Sequence, residues 1–307
     1  MSTLKKPQNE QIIDFDEEHS RLDIFLTDKF TDYSRNHISK LIKNGNVSVD
    51  GKIRKPSFIL DKPSQIKIIF PTSSAKKPDF EKNIVYEDKH LIIFSKPCKL
   101  LIHPQSPTWE RCPESSFLGD NTLISLLISS RKEILKNNVF RCGLVHRLDR
   151  KTSGIMVIAK TDQAQENLTT QFRERKVEKV YVAVACGEIP NDKGVIDVPI
   201  GRITRGKIKA SPLGRPSVTE YKVLKRMNGY TLLELYPKTG RTNQLRVHLA
   251  WLGYPVLGDD LYNGEDCERL MLHSKSISFM HPKTKKKVTF IAPVSKDFSD
   301  CWKNLKK

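Results

Sequence analysis

The order of the predicted elements indicates an α+β fold in which a mixed, mostly antiparallel β-sheet is flanked by helices. Apolar runs typical of strands, such as residues 180–185 (VYVAVA) and 230–236 (YTLLELY), occur among helical patterns in no strict βαβ order. Near the end of the chain, residues 277–279 and 288–291 flank a polar stretch, which is a hairpin signal. A chain of 307 residues is expected to form one large or two ordinary domains.

The chain is strongly basic, with 53 Lys and Arg residues against 35 Asp and Glu and a formal net charge of +18. Such an excess favours a phosphate-rich partner. A membrane surface would fit the charge equally well, but the chain has no run of about 18 apolar residues and no signal-peptide core. We therefore expect no membrane association.

The six cysteines are scattered along the chain without a C-x-x-C pair. This pattern argues against the common zinc motifs and fits a reduced cytoplasm. A glycine-rich phosphate loop is also missing, because residues 201–206 lack the lysine and the strand–helix context. No three histidines form a ligand pattern, so we expect no metal site.

Composition divides the chain into parts that follow a polar, flexible tail at residues 1–18. Residues 19–70 carry their own helix and hairpin signals, and residues 83–307 hold most of the apolar strands. Between them, residues 71–82 contain a polar stretch with two prolines, PTSSAKKPD, which is typical of a linker.

The first predicted helix covers residues 34–44. Ser34 is a suitable N-cap, apolar side chains follow at helical spacing, and Gly45 ends the pattern. A hairpin at residues 50–51 and a strand over residues 66–70 come next. The polar faces of this helix keep three basic residues, Arg35, Lys40 and Lys43.

The larger part begins with two short strands within residues 84–95. Leucine and isoleucine residues at helical spacing predict a helix over residues 122–135. Thr161 or Asp162 is placed to cap a second helix with one apolar stripe. A third helix is predicted over residues 243–252.

The most informative stretch is residues 143–161, GLVHRLDRKTSGIMVIAKT. Four basic residues surround its one central carboxylate, Asp149: His146, Arg147, Arg150 and Lys151. Apolar runs on both sides predict a strand–loop–strand that holds the carboxylate at the end of a buried sheet. The cations would keep Asp149 ionised and attract a polyanion. Taken alone, RLDR is usually a surface salt bridge.

This stretch resembles the central motif of the RluA family of pseudouridine synthases, HRLDxxTSG. Further stretches resemble the family elements KPxGLxxHP, KxYxAxxxG, GRTHQIRVHLA and GHPLxGDxxY, and they lie at residues 96–104, 178–187, 240–250 and 253–262. Asn243 stands where the family has histidine, and Ser274 stands where it has alanine. Because of these departures, the exact substrate stays open, whereas the type of reaction does not.

The resemblance implies an isomerisation of uridine in RNA, in which the base leaves its glycosidic nitrogen and rejoins the sugar through carbon. No redox step occurs, so we expect no cofactor. Asp149 is implied to be the catalytic carboxylate, as nucleophile at the sugar or as base for the 2′ proton. Arg246 is implied as its salt-bridge partner and Tyr181 as a stacking surface for the pyrimidine. On pattern alone, these two could be a surface arginine and a sheet tyrosine.

A uridine in folded RNA must be flipped out to reach such a pocket. The resemblance assigns Arg147 to the vacated stack, with Arg150 and His146 as further RNA contacts, although His146 could instead be structural. Residues 19–70 resemble the S-four type RNA-binding domain, a small α/β module. That resemblance implies phosphate contacts by the basic residues of its first helix, Arg35, Lys40 and Lys43.

We therefore predict a monomeric RNA pseudouridine synthase of the cytoplasm that acts without a cofactor. Its added N-terminal module is similar to that of family members that modify ribosomal RNA, which favours 23S ribosomal RNA as substrate. The alternatives are a tRNA or dual-specificity enzyme of the same family, and a catalytically silent RNA-binding assembly factor.

Overall fold

The computed structural model describes residues 10–17, 19–31, 33, 35–70, 79–104, 107–110, 116, 121–137, 139–202 and 207–305. Residues 71–78 of the expected linker, the N-cap Ser34 and the first nine residues of the expected tail lie outside these ranges. The backbone forms two compact units, residues 1–77 with 103–129, and residues 78–102 with 130–307. The domain limits drawn from composition stay predictions.

The first unit contains a small sheet with two helices, and its strands lie in the order β1-β6-β3-β4, while β2 pairs with β5. The predicted helix, hairpin and strand are present as α2, β3–β4 and β6. The elements are β1 (Glu10–Phe15), β2 (Ser20–Arg21), α1 (Leu22–Lys29), α2 (Arg35–Lys43), β3 (Val47–Val49), β4 (Lys52–Ile53), β5 (Ile59–Leu60) and β6 (Ser64–Ile69), and α3 (Leu123–Ser130) begins in this unit.

Residues 10–15, expected to belong to the tail, instead form β1, which pairs antiparallel with β6. Phe15 is 1% exposed, and the edge of its ring meets the Phe25 ring at a centroid distance of 5.0 Å. Burial of this aromatic pair stabilises a strand whose own sequence is too short and too polar to predict one.

The second unit is built on one large sheet with the strand order β11-β14-β15-β10-β16-β9-β8-β7, and β17 pairs with β16. Its elements are β7 (Ile84–Glu87), β8 (Leu91–Lys96), β9 (Ser153–Ala159), α4 (Asp162–Arg173), β10 (Glu178–Cys186), β11 (Lys193–Asp197), β12 (Ile200–Arg202), β13 (Ile208–Ala210), β14 (Val218–Met227), β15 (Tyr230–Pro237), α5 (Gln244–Trp251), β16 (Leu272–Met280), β17 (Lys287–Ile291) and α6 (Lys296–Asn304).

Every pairing in this sheet is antiparallel except that of β9 with β16. The predicted α+β class with a mostly antiparallel sheet is therefore confirmed. One apolar cluster packs α5 and α6 against β10 and β15, and a second packs α4 against β8 and β9. The helices cover apolar strands that would otherwise face water.

Two predicted elements differ in the structure. The helix expected over residues 122–135 ends at Ser130, because Arg131 has a non-helical φ of −136° and its guanidinium binds Glu81 and Glu87, each at 2.7 Å. Residues 143–145 form no strand and contribute a single antiparallel bridge, between Leu144 and Ile158. The loop with Asp149 is thus followed by a buried strand but preceded by a turn.

The start of β9 depends on Gly154. Its φ is +109°, and a Cβ atom there would lie 2.2 Å from the carbonyl oxygen of Ser274 on β16. Glycine alone tolerates this approach, which brings the parallel pair together directly after the Asp149 loop. Within the described ranges, no helix is long and apolar enough to cross a membrane.

Candidate active site

The loop that carries Asp149 is tied to the segment after β8 by Lys96, a side chain that is only 1% exposed. Its ammonium donates three hydrogen bonds of 3.0 Å, to the carbonyl oxygens of Pro97, Leu100 and Arg150. All three donors of the ammonium are therefore used inside the protein. Burial lowers the pKa of Lys96 to about 7. These bonds hold the loop in place before any substrate binds.

Asp149 has a partly buried side chain, 26% exposed. Burial raises the pKa of its carboxyl above the ordinary value, and the nearby Asp259 adds to that rise. Arg246, Arg147 and Lys96 act in the opposite direction. Of the cations expected to keep Asp149 ionised, Arg246 and Arg147 lower its pKa, but the loss of hydration outweighs them.

Arg246 binds a second carboxylate, which the sequence analysis did not foresee. Its Nε lies 2.7 Å and its Nη2 2.5 Å from the two carboxyl oxygens of Asp259, a bidentate pair. Its Nη1 lies 3.9 Å from Asp149 Oδ2, beyond hydrogen-bond distance. The predicted salt bridge to Asp149 is present as this long contact, and Arg246 forms a second, shorter ion pair with Asp259.

Helix α5 sets the position of Arg246 through the turn before it. Asn243 has a left-handed φ of 56°, and its side-chain amide donates to the Tyr262 hydroxyl at 3.1 Å. The Gln244 amide accepts from the Thr239 hydroxyl at 2.7 Å and donates to the Val218 carbonyl at 3.0 Å. These bonds fix the first turn of α5 on β14.

Tyr181 lies on β10, in register with Ser274 on β16. Burial raises the pKa of its hydroxyl to about 12, and the Asp149 charge acts in the same direction, whereas a hydrogen bond with Ser274 lowers it. Tyr181 is therefore protonated at neutral pH and presents a neutral ring.

The three predicted catalytic residues, Asp149, Arg246 and Tyr181, line one cavity of about 800 Å³. The described lining has two carboxylates, Asp149 and Glu178. Its further cations are Arg147, Arg173, Arg175, Lys179, Lys238 and Arg241. A cavity with this excess of positive charge attracts an anionic ligand.

Lys179 differs from Lys238, the other lysine of the described lining, which pairs with Glu220 at 2.9 Å. No described residue forms an ion pair or hydrogen bond with the Lys179 ammonium. It lies two residues before Tyr181 on β10 and lines the same cavity. Burial lowers its pKa. An anion beside Lys179 would offset the free-energy cost of burying its positive charge.

The remaining motif residues divide into exposed and structural ones. Arg147 is exposed and lines the cavity, while Arg150 is exposed and donates from Nε to the Lys99 carbonyl at 3.3 Å. The His146 ring stacks on Phe172 at 4.6 Å and accepts a 3.0 Å hydrogen bond from the Val157 amide. Burial lowers the pKa of His146 to about 3. His146 therefore serves as a neutral support for the loop, although it still lines the cavity.

The basic residues predicted on α2 belong to the first unit. Arg35 donates two hydrogen bonds, at 3.0 and 2.9 Å, to Asp23, whose side chain is buried. Lys40 and Lys43 are exposed and have no ion pair among the described residues. All three predicted phosphate contacts are thus at the surface, but the charge of Arg35 is partly neutralised by Asp23.

Sequence reasoning missed Asp259, Lys96 and Lys179 as members of the site. All three lie in stretches that resemble family elements, and Lys179 is the lysine of KxYxAxxxG, so the resemblance was the available signal. In the described part of the chain, no three His, Cys, Asp or Glu side chains are arranged to hold a metal ion.

We predict that Asp259→Leu costs about 3–5 kcal/mol of unfolding free energy, because it leaves the buried Arg246 charge unpaired. Arg246→Met should cost a similar amount, whereas the double variant should regain most of the stability. All three should lose activity. Denaturant unfolding measures the first effect, and a loss below about 1 kcal/mol for Asp259→Leu would contradict the buried pair.

Comparison with known proteins gives one family match in each of the two parts of the chain. Residues 90–251 match the RNA pseudouridylate synthase family, and residues 20–66 match the S4 domain family. A protein of Aquifex aeolicus (strain VF5) called an uncharacterized RNA pseudouridine synthase is 41% identical over 80% of this chain and 77% of its own length. The ribosomal large subunit pseudouridine synthase D of Pseudomonas aeruginosa is 33% identical over 91% of this chain and 89% of its own.

The solved structure of human RNA pseudouridylate synthase domain containing 4 is also similar, with a TM-score of 0.59 and 25% identity. The match covers 74% of this chain and 94% of the human chain. The sequence matches, the shared fold and the cavity around Asp149 lead to one conclusion: this chain belongs to the RNA pseudouridylate synthase family and carries an S4 domain at its N-terminal side.

Proposed function

We propose that this protein converts specific uridines of 23S ribosomal RNA to pseudouridine, as a cytoplasmic monomer, with Asp149 as the catalytic group. The observation that carries the proposal is the convergence of Asp149, Tyr181 and Arg246 on one cation-lined cavity. Ribosomal RNA is favoured over tRNA because the Pseudomonas relative named for the large ribosomal subunit aligns over 91% of this chain, S4 domain included.

The carboxylate of Asp149 starts the reaction in its ionised form. As nucleophile, it attacks C1′ and displaces uracil; as base, it takes the 2′ proton and the base leaves by elimination. On the first route the uracil turns and C5 attacks C1′, which breaks the bond between C1′ and Asp149. On the second route C5 adds to C1′ and C2′ takes its proton back from Asp149. In both routes C5 then loses its proton and N1 gains one, so no atom is lost or gained. The raised pKa of Asp149 strengthens it for either role, since a more basic carboxylate is a better nucleophile and a better proton acceptor.

Tyr181 supports the base during this turn. Its neutral ring offers a stacking face that does not depend on hydrogen bonds to one edge of uracil. A face of this kind holds the detached base in several orientations, which the rearrangement requires. Arg147, exposed at the cavity, has the planar guanidinium needed to occupy the gap that the flipped uridine leaves in the RNA.

We expect the remaining cations to contact backbone phosphates of the RNA. Lys179 has no ion-pair or hydrogen-bond partner among the described residues and is the natural contact for a phosphate next to the flipped uridine. Lys40 and Lys43 supply phosphate contacts in the S4 domain. Such contacts contribute affinity and salt dependence rather than base recognition.

The catalytically silent alternative is tested by Asp149→Asn, which we expect to abolish turnover while RNA affinity stays near wild type, because phosphate contacts dominate affinity. Release of tritium from C5 of labelled uridine measures turnover. Asp260→Asn is the matched control, since Asp260 is exposed and pairs with Lys151 at 2.8 Å. Wild-type turnover in Asp149→Asn would remove Asp149 from the mechanism.

Lys179→Met should raise KM for RNA more than it lowers kcat, because the side chain keeps its length and loses one phosphate contact. The slope of log affinity against log salt should become shallower by about 0.7–0.9. Lys132→Met, at an exposed site outside the cavity lining, is the control. An unchanged slope in Lys179→Met would mean that Lys179 meets no phosphate.

Replacing both Lys40 and Lys43 by alanine should weaken binding to large-subunit RNA and flatten the salt slope by about 1.4–1.8. The control is Lys29→Ala on α1, whose charge is already paired with Glu17 at 3.2 Å. Binding and slope equal to those of the control variant would show that α2 does not contact RNA.

A further inference from the structure

Two cysteines that are far apart in the sequence meet in the second unit. Cys267 lies in the segment at residues 263–271 before β16, and Cys301 lies on α6. Their Sγ atoms are 2.8 Å apart, and both residues are half-buried thiols. A disulfide bond is about 2.05 Å long, so a small movement of the side chains would join them.

The positions of Cys267 and Cys301 are fixed by contacts of a neighbouring arginine and not by the thiols themselves. Arg269, two residues after Cys267, donates to the Asp297 carboxylate at 2.7 Å and to the Ser295 hydroxyl at 2.8 Å. Its guanidinium also lies 5.4 Å from the centre of the Phe298 ring, which is 2% exposed. These contacts anchor the first turn of α6 and keep the two sulfur atoms adjacent.

A cleft of about 570 Å³ gives small molecules access to both thiols. Among the described residues, its lining includes Asp266, Glu268 and Asp300 but a single lysine, Lys296. The acidic lining disfavours anionic reagents and favours neutral or cationic ones. None of the cleft residues belongs to the cavity that holds Asp149.

We propose that Cys267 and Cys301 form a modification site, at which a small neutral or cationic disulfide converts them into a reversible cross-link between α6 and the segment at residues 263–271. The Cys267 thiolate displaces one sulfur of the small disulfide and forms a mixed disulfide. Cys301 then displaces the second half, and its proton passes to the leaving thiolate. The two protein thiols are oxidised, and the small disulfide is reduced to two thiols.

The order of the two steps follows from the surroundings of each thiol. Burial raises the pKa of Cys301 to about 12, and the adjacent Cys267 and the Glu268 charge add to this rise. Cys301 is therefore the poorer initial nucleophile. Cys186 is the nearest competitor, but its side chain is buried and its sulfur accepts a hydrogen bond from the Glu265 amide at 3.4 Å.

The test treats the full-length protein with cystamine, a cationic disulfide, then blocks free thiols and maps the peptides without reduction. We expect a peptide pair joined through Cys267 and Cys301, with the loss of two hydrogen atoms, and full reversal by dithiothreitol. Since the cross-link closes a loop between residues 34 positions apart, the melting temperature should rise by about 5 °C or more.

Two variants identify the pair. Cys301→Ser should stop at the mixed disulfide on Cys267 and show no rise in melting temperature. Cys98→Ser, which removes a half-buried cysteine outside the pair, should behave like the unchanged protein. A cross-link through Cys186, no cross-link at all, or a cross-linked form that melts no higher than the reduced form would overturn the proposal. None of these readouts depends on RNA or on Asp149.

Discussion

The bidentate ion pair between Arg246 and Asp259 is the interaction on which the site depends. Asp259 is fully buried and also accepts hydrogen bonds from the backbone amides of Leu261 and Tyr262. Those amides fix the carboxylate, and the carboxylate fixes both ends of the guanidinium fork. Without Asp259, the buried guanidinium of Arg246 would lose its hydration and gain too little charge pairing to compensate. Arg246 is therefore in place before a substrate arrives.

The same pair determines the chemistry of Asp149. Arg246 has one positive charge, and Asp259 accepts the two shortest of its hydrogen bonds, while Asn243 accepts a third from Nη1 at 3.3 Å. Asp149 receives only a 3.9 Å charge contact while losing hydration, so its pKa rises. A carboxylate held strongly by arginine would be a weak base. Sharing the arginine leaves Asp149 more basic, and the fixed cation still stabilises its charged form.

Sequence patterns predicted those parts of the fold whose signal is local. Helix α2 follows from apolar spacing with a glycine stop, and α4 begins at Thr161, whose hydroxyl accepts from the Ala164 amide as a cap should. The hairpin of β3 and β4 follows from its Asp-Gly turn. Strand β1 could not be predicted in this way, because Phe15 gains its stability from Phe25, a residue outside the strand.

In the candidate site, too, sequence patterns predicted only the residues whose signal is local. The HRLDxxTSG stretch singled out Asp149, but the cationic neighbours in the sequence could not show that its pKa is raised, since desolvation is a property of the folded environment. Asp259 lies 13 residues after Arg246, and Cys301 lies 34 residues after Cys267. No periodicity joins positions at such distances. These pairs become visible only when α5 and α6 pack against the sheet.

Asp259 raises the basicity of Asp149 by competing for Arg246. The most direct measurement is a ¹³C NMR titration of the Asp149 carboxyl in the unchanged protein, Asp259→Asn and the exposed-site control Asp260→Asn. We expect the Asp149 pKa to lie above the ordinary aspartate value and to fall in Asp259→Asn, with a smaller change in the control. An Asp149 pKa that is unchanged or higher in Asp259→Asn would contradict the account.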